Sequence, residues 1–343
     1  MSATMAPEEV LKTRGVSRAL DAYVVGAVFA RSGRVCAFGT GDGSIHIANV
    51  DGWLRIAAHD GAVLSLAADL SGGWLSGGDD GRFLRIGLDG AVTELASFGM
   101  KWVENVAAGP DAKSGVLACT VGKFIYLFDA AGKKIKNLEH PSSVTGIAFD
   151  AKGKRIAASH YNGASVWFVA SKSDNPRRLE WKGSHTGVAV HPEGDAVVTS
   201  MQENSLHGWR LAETQHMRMT GYPSKTRALG FTKNGKWLAT AGADSIVLWP
   251  FFGGGPMGKA PTELAGGDDI ICNFVACHPS HEAVAAGFAD GMVIVADIGT
   301  ARILPVTVGG EGPVSALGWN ADGTLLAFGT ETGFAAIVDF SKK

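Results

Sequence analysis

Short apolar runs recur along the chain at a nearly constant interval, with polar turns between them. The segment SVTGIAFDAKGKRIAASHYNGASVWF (143–168) sets the pattern, and related segments cover 24–49, 225–250 and 313–340. In the first of these, apolar residues at Val144, Ile147 and Phe149 precede Gly153, and two further apolar runs follow. Runs this short, bounded by Gly, Asp, Asn and Ser, predict an antiparallel meander of strands.

One large apolar position at the end of the first run marks each repeat. It is occupied by Phe29, Ala68, Ala108, Phe149, Val190, Phe231, Cys277 and Trp319. The intervals between these anchor positions are 39, 40, 41, 41, 41, 46 and 42 residues. Eight repeats of about 41 residues therefore cover 24–340, and we expect residues 1–343 to form a single repeat domain.

The repeat predicts an all-β fold, a single β-propeller built from four-stranded antiparallel blades. One such sheet cannot bury both of its faces, whereas sheets stacked radially cover one another and leave only short edges. The anchors predict eight blades, with seven as the alternative. No fourth strand follows the last repeat, so we expect the N-terminal segment 11–20 to pair with the last blade and close the ring.

Two cysteines and two histidines lie close together in ICNFVACHPSHEAV (271–284), which raises the question of a metal site. The repeat register places Cys272 and Cys277 at core positions and His278 and His281 in a turn. Free cysteine behaves as a small buried hydrophobe, and the spacing lacks the paired pattern of structural zinc sites. We therefore expect no metal site here, and the sequence predicts no cofactor.

The repeats resemble those of the WD40 family of β-propellers over almost the full length. AAHDGAVLSLA (57–67) and LEHPSSVTGIAF (138–149) are similar to the histidine-led loops before the first strand of that family. Asp-Gly or Asn-Gly turns occur at 42–43, 80–81, 162–163 and 290–291, and aromatic residues close the third strand at Phe128, Phe168, Trp209 and Trp249. No Trp-Asp dipeptide occurs.

The resemblance implies structural hydrogen-bonded pairs between the histidine-led loops and the turns. These would be His59 with Asp80 and His140 with Asn162. A His–Asp pair is also the kind that supports catalysis, but the chain contains no G-x-S-x-G nucleophile elbow. We interpret both pairs as structural, and we predict no catalytic residues.

The resemblance also implies that the loops before the first strands and the turns between the second and third strands share one face, the loop face. Aromatic residues and arginine, which dominate protein interfaces, occur there. The predicted binding residues on the loop face are Lys101, Trp102, His160, Tyr161, Met201, Gln202, Tyr222, Lys225, Arg227 and Phe288.

Charge is unevenly distributed along the chain, although the net charge is only −2. Residues 101–236 hold 19 Lys and Arg against 11 Asp and Glu, whereas residues 237–343 hold 4 against 11. Because sequence order is angular order in a ring, this predicts a basic sector, represented by Lys133, Lys134, Lys136, Arg177 and Arg178. We expect it to favour an acidic protein over nucleic acid, because the sequence shows no exposed aromatics interleaved with these clusters.

The most consistent function is a non-catalytic scaffold that binds partner proteins through the propeller faces. One alternative is an enzyme, or a metal- or ligand-binding protein, with a site at the central channel mouth, to which His46, His160, His185 and His207 could contribute. Another is a nucleic-acid-associated assembly subunit that uses the basic sector. A monomer is favoured. The lack of a secretion signal or membrane span and the few cysteines predict a cytoplasmic protein without membrane partners.

Overall fold

The strands form a β-propeller, in which antiparallel sheets are arranged radially around a central axis. The structure is a computed structural model that describes residues 9–110, 115–172, 175–213, 215–267 and 269–341. The all-β fold class predicted from the repeat is confirmed. Within the described ranges, no helix is both long and apolar enough to cross a membrane.

The elements follow one another as a series of short antiparallel strands after a single helical turn, α1 (Val10–Arg14). The strands are β1 (Gly15–Ala19), β2 (Val24–Phe29), β3 (Cys36–Thr40), β4 (Ser44–Ala48), β5 (Trp53–Ala57), β6 (Val63–Ala68), β7 (Trp74–Gly78), β8 (Arg82–Ile86), β9 (Val92–Ser97), β10 (Asn105–Ala108), β11 (Val116–Val121), β12 (Phe124–Asp129), β13 (Lys134–Glu139), β14 (Gly146–Phe149), β15 (Arg155–Phe168), β16 (Arg177–Val190), β17 (Ala196–Met201), β18 (Ser205–Arg210), β19 (His216–Met219), β20 (Leu229–Phe231), β21 (Trp237–Thr240), β22 (Ile246–Pro250), β23 (Thr262–Leu264), β24 (Cys272–Cys277), β25 (Ala283–Phe288), β26 (Met292–Asp297), β27 (Ile303–Val308), β28 (Val314–Trp319), β29 (Leu325–Thr330) and β30 (Phe334–Asp339).

The innermost strands surround the axis and contact one another in chain order. They are β2, β6, β10, β14, the second half of β16, β20, β24 and β28, and β28 contacts β2 again. Each of these strands ends at one of the anchor positions, from Phe29 in β2 to Trp319 in β28. The repeat spacing therefore marks the inner strand of each unit.

Hydrogen bonding groups the described strands into seven sheets. The prediction of eight separate blades is therefore wrong, and the alternative of seven is correct. Six sheets have four strands, and the seventh joins β14 to β19 in a six-stranded sheet. This sheet contains both the fourth and the fifth sequence repeat. The repeats remain distinct in the inner strands and merge in the sheet.

The merging runs through β16, whose first half pairs with β15 and whose second half pairs with β17. Within the fourth repeat, β15 itself contains two strands, which are joined at the turn Asn162–Gly163. The chain reverses within β15, because the Val169 N–H donates to the Lys154 carbonyl (2.9 Å) across its two halves. Asn162 and Gly163 adopt φ values of 65° and 138°, and the register of β15 with β16 shifts between Tyr161 and Gly163. A Cβ at position 163 would lie 2.1 Å from the Leu179 carbonyl oxygen, so the turn requires glycine.

The N-terminal segment closes the ring. β1 pairs antiparallel with β30, in a register that runs from Gly15 opposite Val338 to Ala19 opposite Phe334, and becomes the fourth strand of the last sheet. Only the second half of the predicted segment 11–20 forms this strand. The first half lies in α1, because residues 10–14 are mostly good helix formers and Lys12 pairs with Glu9 (2.6 Å).

The core lies between neighbouring sheets. Ala37 and Ile45 of one sheet pack with Val63, Trp74 and Leu84 of the next, and all are buried. The Trp74 indole N–H donates to the Val28 carbonyl across this boundary (2.8 Å). Each sheet therefore buries its apolar faces against its neighbours, as expected for a radial stack.

Candidate partner-binding groove

An open groove of about 650 Å³ lies beside the first half of β16, and we call it the β16 groove. It is lined by Pro141, Ser142, His160, Tyr161, Asn162, Ala164, Arg178, Leu179, Glu180, Trp181 and Lys182. A second depression begins on the other side of Trp181 and Lys182 and reaches Met201, Glu203 and Arg218. The two depressions form a continuous concave surface around one outer strand.

Strand alternation sets the chemistry of the β16 groove. Leu179 is buried and Trp181 half-buried, whereas Arg178, Glu180 and Lys182 are exposed. Residues two apart on a strand point to the same side, so the three charged side chains share one face. The mixed charges and the neighbouring Trp181 produce a surface suited to polar and apolar contacts together.

Trp181 is held in place by histidines of the same six-stranded sheet. Its ring stacks on His207, with centroids 3.9 Å apart, and His185 Nε2 donates to its carbonyl oxygen (3.0 Å). His207 in turn contacts His216, with 2.9 Å between Nε2 and Nδ1. Burial and the nearby cationic groups lower the pKa of His207 to about 3, so its ring is neutral at pH 7. The aromatic wall is therefore preorganised.

The floor of the groove is also a fixed, neutral histidine. His160 Nδ1 donates to the Tyr161 carbonyl (2.9 Å), and Nε2 accepts from the Ser165 hydroxyl (2.9 Å). Burial lowers the pKa of His160, and the charge of Arg178 lowers it further. The positive charge of the groove thus comes from Arg178 and Lys182 and not from this histidine.

The cations of this surface are available to a partner. The side chains of Arg178, Lys182 and Arg218 form no ion pair or hydrogen bond within the described residues, unlike the side chain of Arg155, which pairs with Asp150 at 2.9 Å. Tyr161 is 58% exposed above the groove. Tyrosine, tryptophan and arginine are the residue types enriched in protein interfaces, and this surface contains all three.

The ten residues predicted on the loop face divide into two groups. Lys101, Trp102, Tyr161, Gln202, Lys225 and Arg227 are exposed, whereas His160, Met201, Tyr222 and Phe288 are buried. The side chains of the four buried residues pack within or between sheets, and the assignment of the ten residues to partner binding stays a prediction. The structure brings His160 and Tyr161 together in the β16 groove, with Met201 in the adjoining depression.

Arg227 lies apart from the β16 groove. Its guanidinium is 3.5 Å from Glu331, which belongs to the sheet closed by β1. Both charges also influence the pKa of Tyr23, which is raised by burial and by Glu331. These three residues come from different sheets, so this part of the loop face is a separate polar cluster.

The basic sector lies on or beside outer strands, and only one of its five residues lines the β16 groove. That residue is Arg178. Lys134 Nζ lies 4.9 Å from the Tyr126 ring centroid, Lys136 donates to the Ser171 carbonyl (2.7 Å), and Arg177 donates to the Leu211 carbonyl. Lys133 is exposed beside β13. Apart from Arg177 and Arg178, which line one depression, the residues of the basic sector therefore lie at separate sites.

One of the two predicted structural pairs is present. His59 Nδ1 contacts Asp80 Oδ1 (2.9 Å), and its Nε2 contacts the Ser76 hydroxyl (2.8 Å). The pairing of His140 with Asn162 is wrong, because His140 Nε2 accepts from the Trp167 indole N–H (3.0 Å) and Asn162 accepts from the Gly183 N–H (3.2 Å).

A third hydrogen-bonded network, after those of His59 and His140, has the buried Tyr222 in place of the loop histidine. The Tyr222 hydroxyl accepts from the Trp249 indole N–H (2.7 Å) and contacts the Thr240 hydroxyl (2.6 Å). The tryptophan equivalent to Trp249 in the fourth repeat is Trp167, which is buried, and not the predicted Phe168, which is 63% exposed. Tyr222 is thus structural, because these hydrogen bonds satisfy buried polar groups.

The histidines considered for a channel site do not meet at one place. His46 lies in β4 of the first repeat, whereas His160, His185 and His207 lie in the six-stranded sheet. Within the described part of the chain, one group of three metal-ligand types, His191, Glu193 and Asp195, lies within 4.8 Å. Arg210 and His191 already engage Asp195, at 3.1 and 2.8 Å. We assign no metal or cofactor to it.

The 271–284 segment has the arrangement expected from the repeat register. Cys272 is buried, and Cys277 Sγ lies 3.3 Å from the Gly230 carbonyl oxygen at a sheet boundary. His278 Nδ1 accepts the Ser280 and His281 N–H groups of its turn (3.2 and 3.0 Å). The cysteines and histidines therefore have separate packing and turn-capping roles.

Sequence reasoning missed Trp181, Lys182 and Arg218 as surface-forming residues. The signal was the alternation in RRLEWK (177–182), which places Arg178 and Lys182 on one face. The fold also brings Tyr161 and Trp181 beside these cations. The β16 groove thus places one exposed tyrosine and one half-buried tryptophan beside the cations of RRLEWK.

Comparisons with known proteins support the fold. No family model matches the chain. It is 21% identical over 289 residues to Autophagy-related protein 16 of Arabidopsis thaliana, covering 82% of this chain and 56% of that protein. It is 22% identical over 119 residues to Pre-mRNA-processing factor 19 homolog 2 of Arabidopsis thaliana, covering 32% and 22%. The chain thus spans about half or less of the length of these relatives.

A solved structure shows the same architecture. The crystal structure of the computationally designed Ika8 protein superposes with a TM-score of 0.76 at 20% identity, covering 94% of this chain and 98% of that one. The chain is therefore a β-propeller, in agreement with the WD40-like resemblance of its repeats.

Proposed function

We propose that this propeller is a non-catalytic scaffold that binds an acidic segment of a partner protein in the β16 groove. The observation that carries the proposal is the placement of unpaired Arg178 and Lys182 beside Tyr161 and Trp181 in one concave surface. Carboxylates of the partner would pair with the cations, and its apolar side chains would contact the aromatic rings.

The groove favours protein over nucleic acid on electrostatic grounds. Glu180 lies between Arg178 and Lys182 on the same face and would repel a phosphate backbone. A protein segment can place a donor opposite Glu180 and carboxylates on either side of it. The proposal includes a cytoplasmic location, which the four unpaired cysteines support.

The test compares three immobilised baits in host lysate: the wild type, R178E/K182E, and K133E/K134E as a control with the same charge change. We expect one partner to bind the wild type and the control but not R178E/K182E. Purified partner should then bind R178E/K182E at least about tenfold more weakly, a loss of about 1.4 kcal/mol.

Three results would contradict the proposal. Equal recovery by all baits would remove the β16 groove as the site. Recovery of nuclease-sensitive material lost only in R178E/K182E would support the nucleic-acid alternative. Loss in both charge-reversed baits would indicate non-specific electrostatic attraction.

A further inference from the structure

A second groove, on a different part of the ring, has the opposite character. It lies between the β22–β23 region and the face of β25–β27, has a volume of about 330 Å³, and we call it the apolar groove. Its walls are mainly aliphatic and aromatic: Ile270, Phe288, Met292, Ile294, Ile303 and Pro305. This volume is at the lower end of ligand-sized sites, and it accommodates a few large side chains.

Exposed apolar side chains extend the apolar groove along β27. Ile303 is 50% exposed and Val308 57%. Contiguous exposed apolar surface of this kind marks interaction sites more often than isolated exposed residues do. Val308 would add to the contact area of anything seated on Ile303.

The surroundings of the apolar groove are acidic. Residues 262–311 contain seven Asp and Glu but one basic residue, Arg302. Asp244 lines the groove and forms no ion pair or hydrogen bond within the described residues. Asp290 is exposed beside Met292, to whose N–H its carboxylate accepts a hydrogen bond (2.9 Å). A partner therefore has to be apolar at its centre and positively charged at its edges.

We propose that the apolar groove is a second interaction site, which binds a basic amphipathic segment of a partner protein. Large apolar side chains of the segment insert against Met292, Ile303 and Pro305. Its Lys or Arg side chains pair with Asp244 and Asp290 at the rim. Charge complementarity excludes the acidic segment proposed for the β16 groove, so the two sites bind different partners.

The test starts from a phage-displayed library of random short peptides selected on the immobilised full chain. Selected peptides are then synthesised with a fluorescein label, and their binding is measured by fluorescence anisotropy. We expect sequences that combine Lys or Arg with Leu, Ile or Phe. Ile303→Glu should weaken binding at least about tenfold. Asp244→Lys should weaken it and reduce its dependence on salt.

Val92→Glu is the matched control, because Val92 is the first residue of outer strand β9 as Ile303 is of β27, and is 38% exposed. It should leave binding unchanged. Peptides that lack basic residues, or that bind I303E as well as the wild type, would overturn the proposal. So would a concentration-dependent dimer abolished by I303E in sedimentation, which would assign the apolar groove to a second copy. R178E/K182E should bind these peptides normally, so this test is independent of the β16 groove.

Discussion

At the residue scale, four buried neutral histidines lie in or beside the six-stranded sheet. His140, His160, His185 and His207 all have lowered pKa values, and burial is the largest cause in each case. Each ring contacts a hydroxyl, an indole, a carbonyl or another imidazole. These side chains therefore contribute to stability only in the uncharged state.

This predicts acid sensitivity with a defined sign. The pKa of His140 falls from 6.5 to about 4 on folding, so the unfolded chain binds more protons between these values. Its contribution to the free energy of unfolding is present above pH 6.5 and is lost as the pH falls toward 4, by up to about 1.4 kcal/mol per pH unit. Urea denaturation between pH 7 and 5 should show a smaller decrease for His140→Gln than for the wild type. Parallel pH profiles would show that His140 does not contribute.

Removal of one buried hydroxyl should test the third network. Tyr222→Phe leaves the Trp249 indole N–H and the Thr240 hydroxyl without their shared partner in a buried site. We expect the free energy of unfolding to fall by about 1–3 kcal/mol. Tyr161→Phe removes the same atom from an exposed side chain and should change stability by less than about 0.5 kcal/mol. Equal effects would contradict the structural role of Tyr222.

At the scale of elements, the closing strand decides whether the ring is continuous. β1 covers the edge of β30, and Leu20, just after it, is buried with Val24 and Ile337. Without β1, the backbone groups of β30 would be exposed as an edge that can pair with other chains.

Deletion of residues 1–22 should lower Tm sharply, since each backbone hydrogen bond lost costs about 1 kcal/mol and Leu20 also leaves the core. Calorimetry of the truncated chain measures this. A synthetic peptide of residues 9–22 should restore Tm in a concentration-dependent way, because it binds only the folded state. An unchanged Tm after deletion, or no recovery with the peptide, would contradict closure by β1.

At the scale of the whole molecule, radial packing places the core between neighbouring sheets all around the ring, like a belt, and not at one central point. Cys36, Cys119 and Cys272 are buried at different positions around this belt, and Cys277 is half-buried. Burial raises the pKa of Cys272 and of Cys277 to about 12, so neither thiol forms a reactive thiolate near neutral pH.

The thiols should therefore report opening of the ring. With Ellman's reagent at pH 8, we expect little reaction of the native protein and reaction of all four thiols in denaturant. The 1–22 deletion should accelerate the native reaction. Mass spectrometry can detect which thiol is labelled. Fast labelling of Cys277 in the native protein would show that the sheet boundary at Cys277 opens locally.

The sequence by itself determined the repeat and the identity of the inner strands, because side-chain burial follows local spacing. Each anchor position, even Cys277 and Trp319, ends an inner strand. The absence of a fourth strand after 340 similarly predicted a closing strand. The pairing of His59 with Asp80 followed from the family resemblance.

Tertiary structure alone decided how repeats join and which side chains meet. The merging of two repeats depends on β16, which continues from the outer strand of the fourth repeat into the inner strand of the fifth, and no local pattern specifies this continuity. Tyr222 and Tyr161 belong to the same residue type, but contacts with Thr240 and Trp249 bury only Tyr222. Both grooves lie where neighbouring strands and loops leave a gap, so their lining residues come from distant parts of the chain. Spacing fixes what is buried within a strand, and packing between strands and sheets fixes what remains available to a partner.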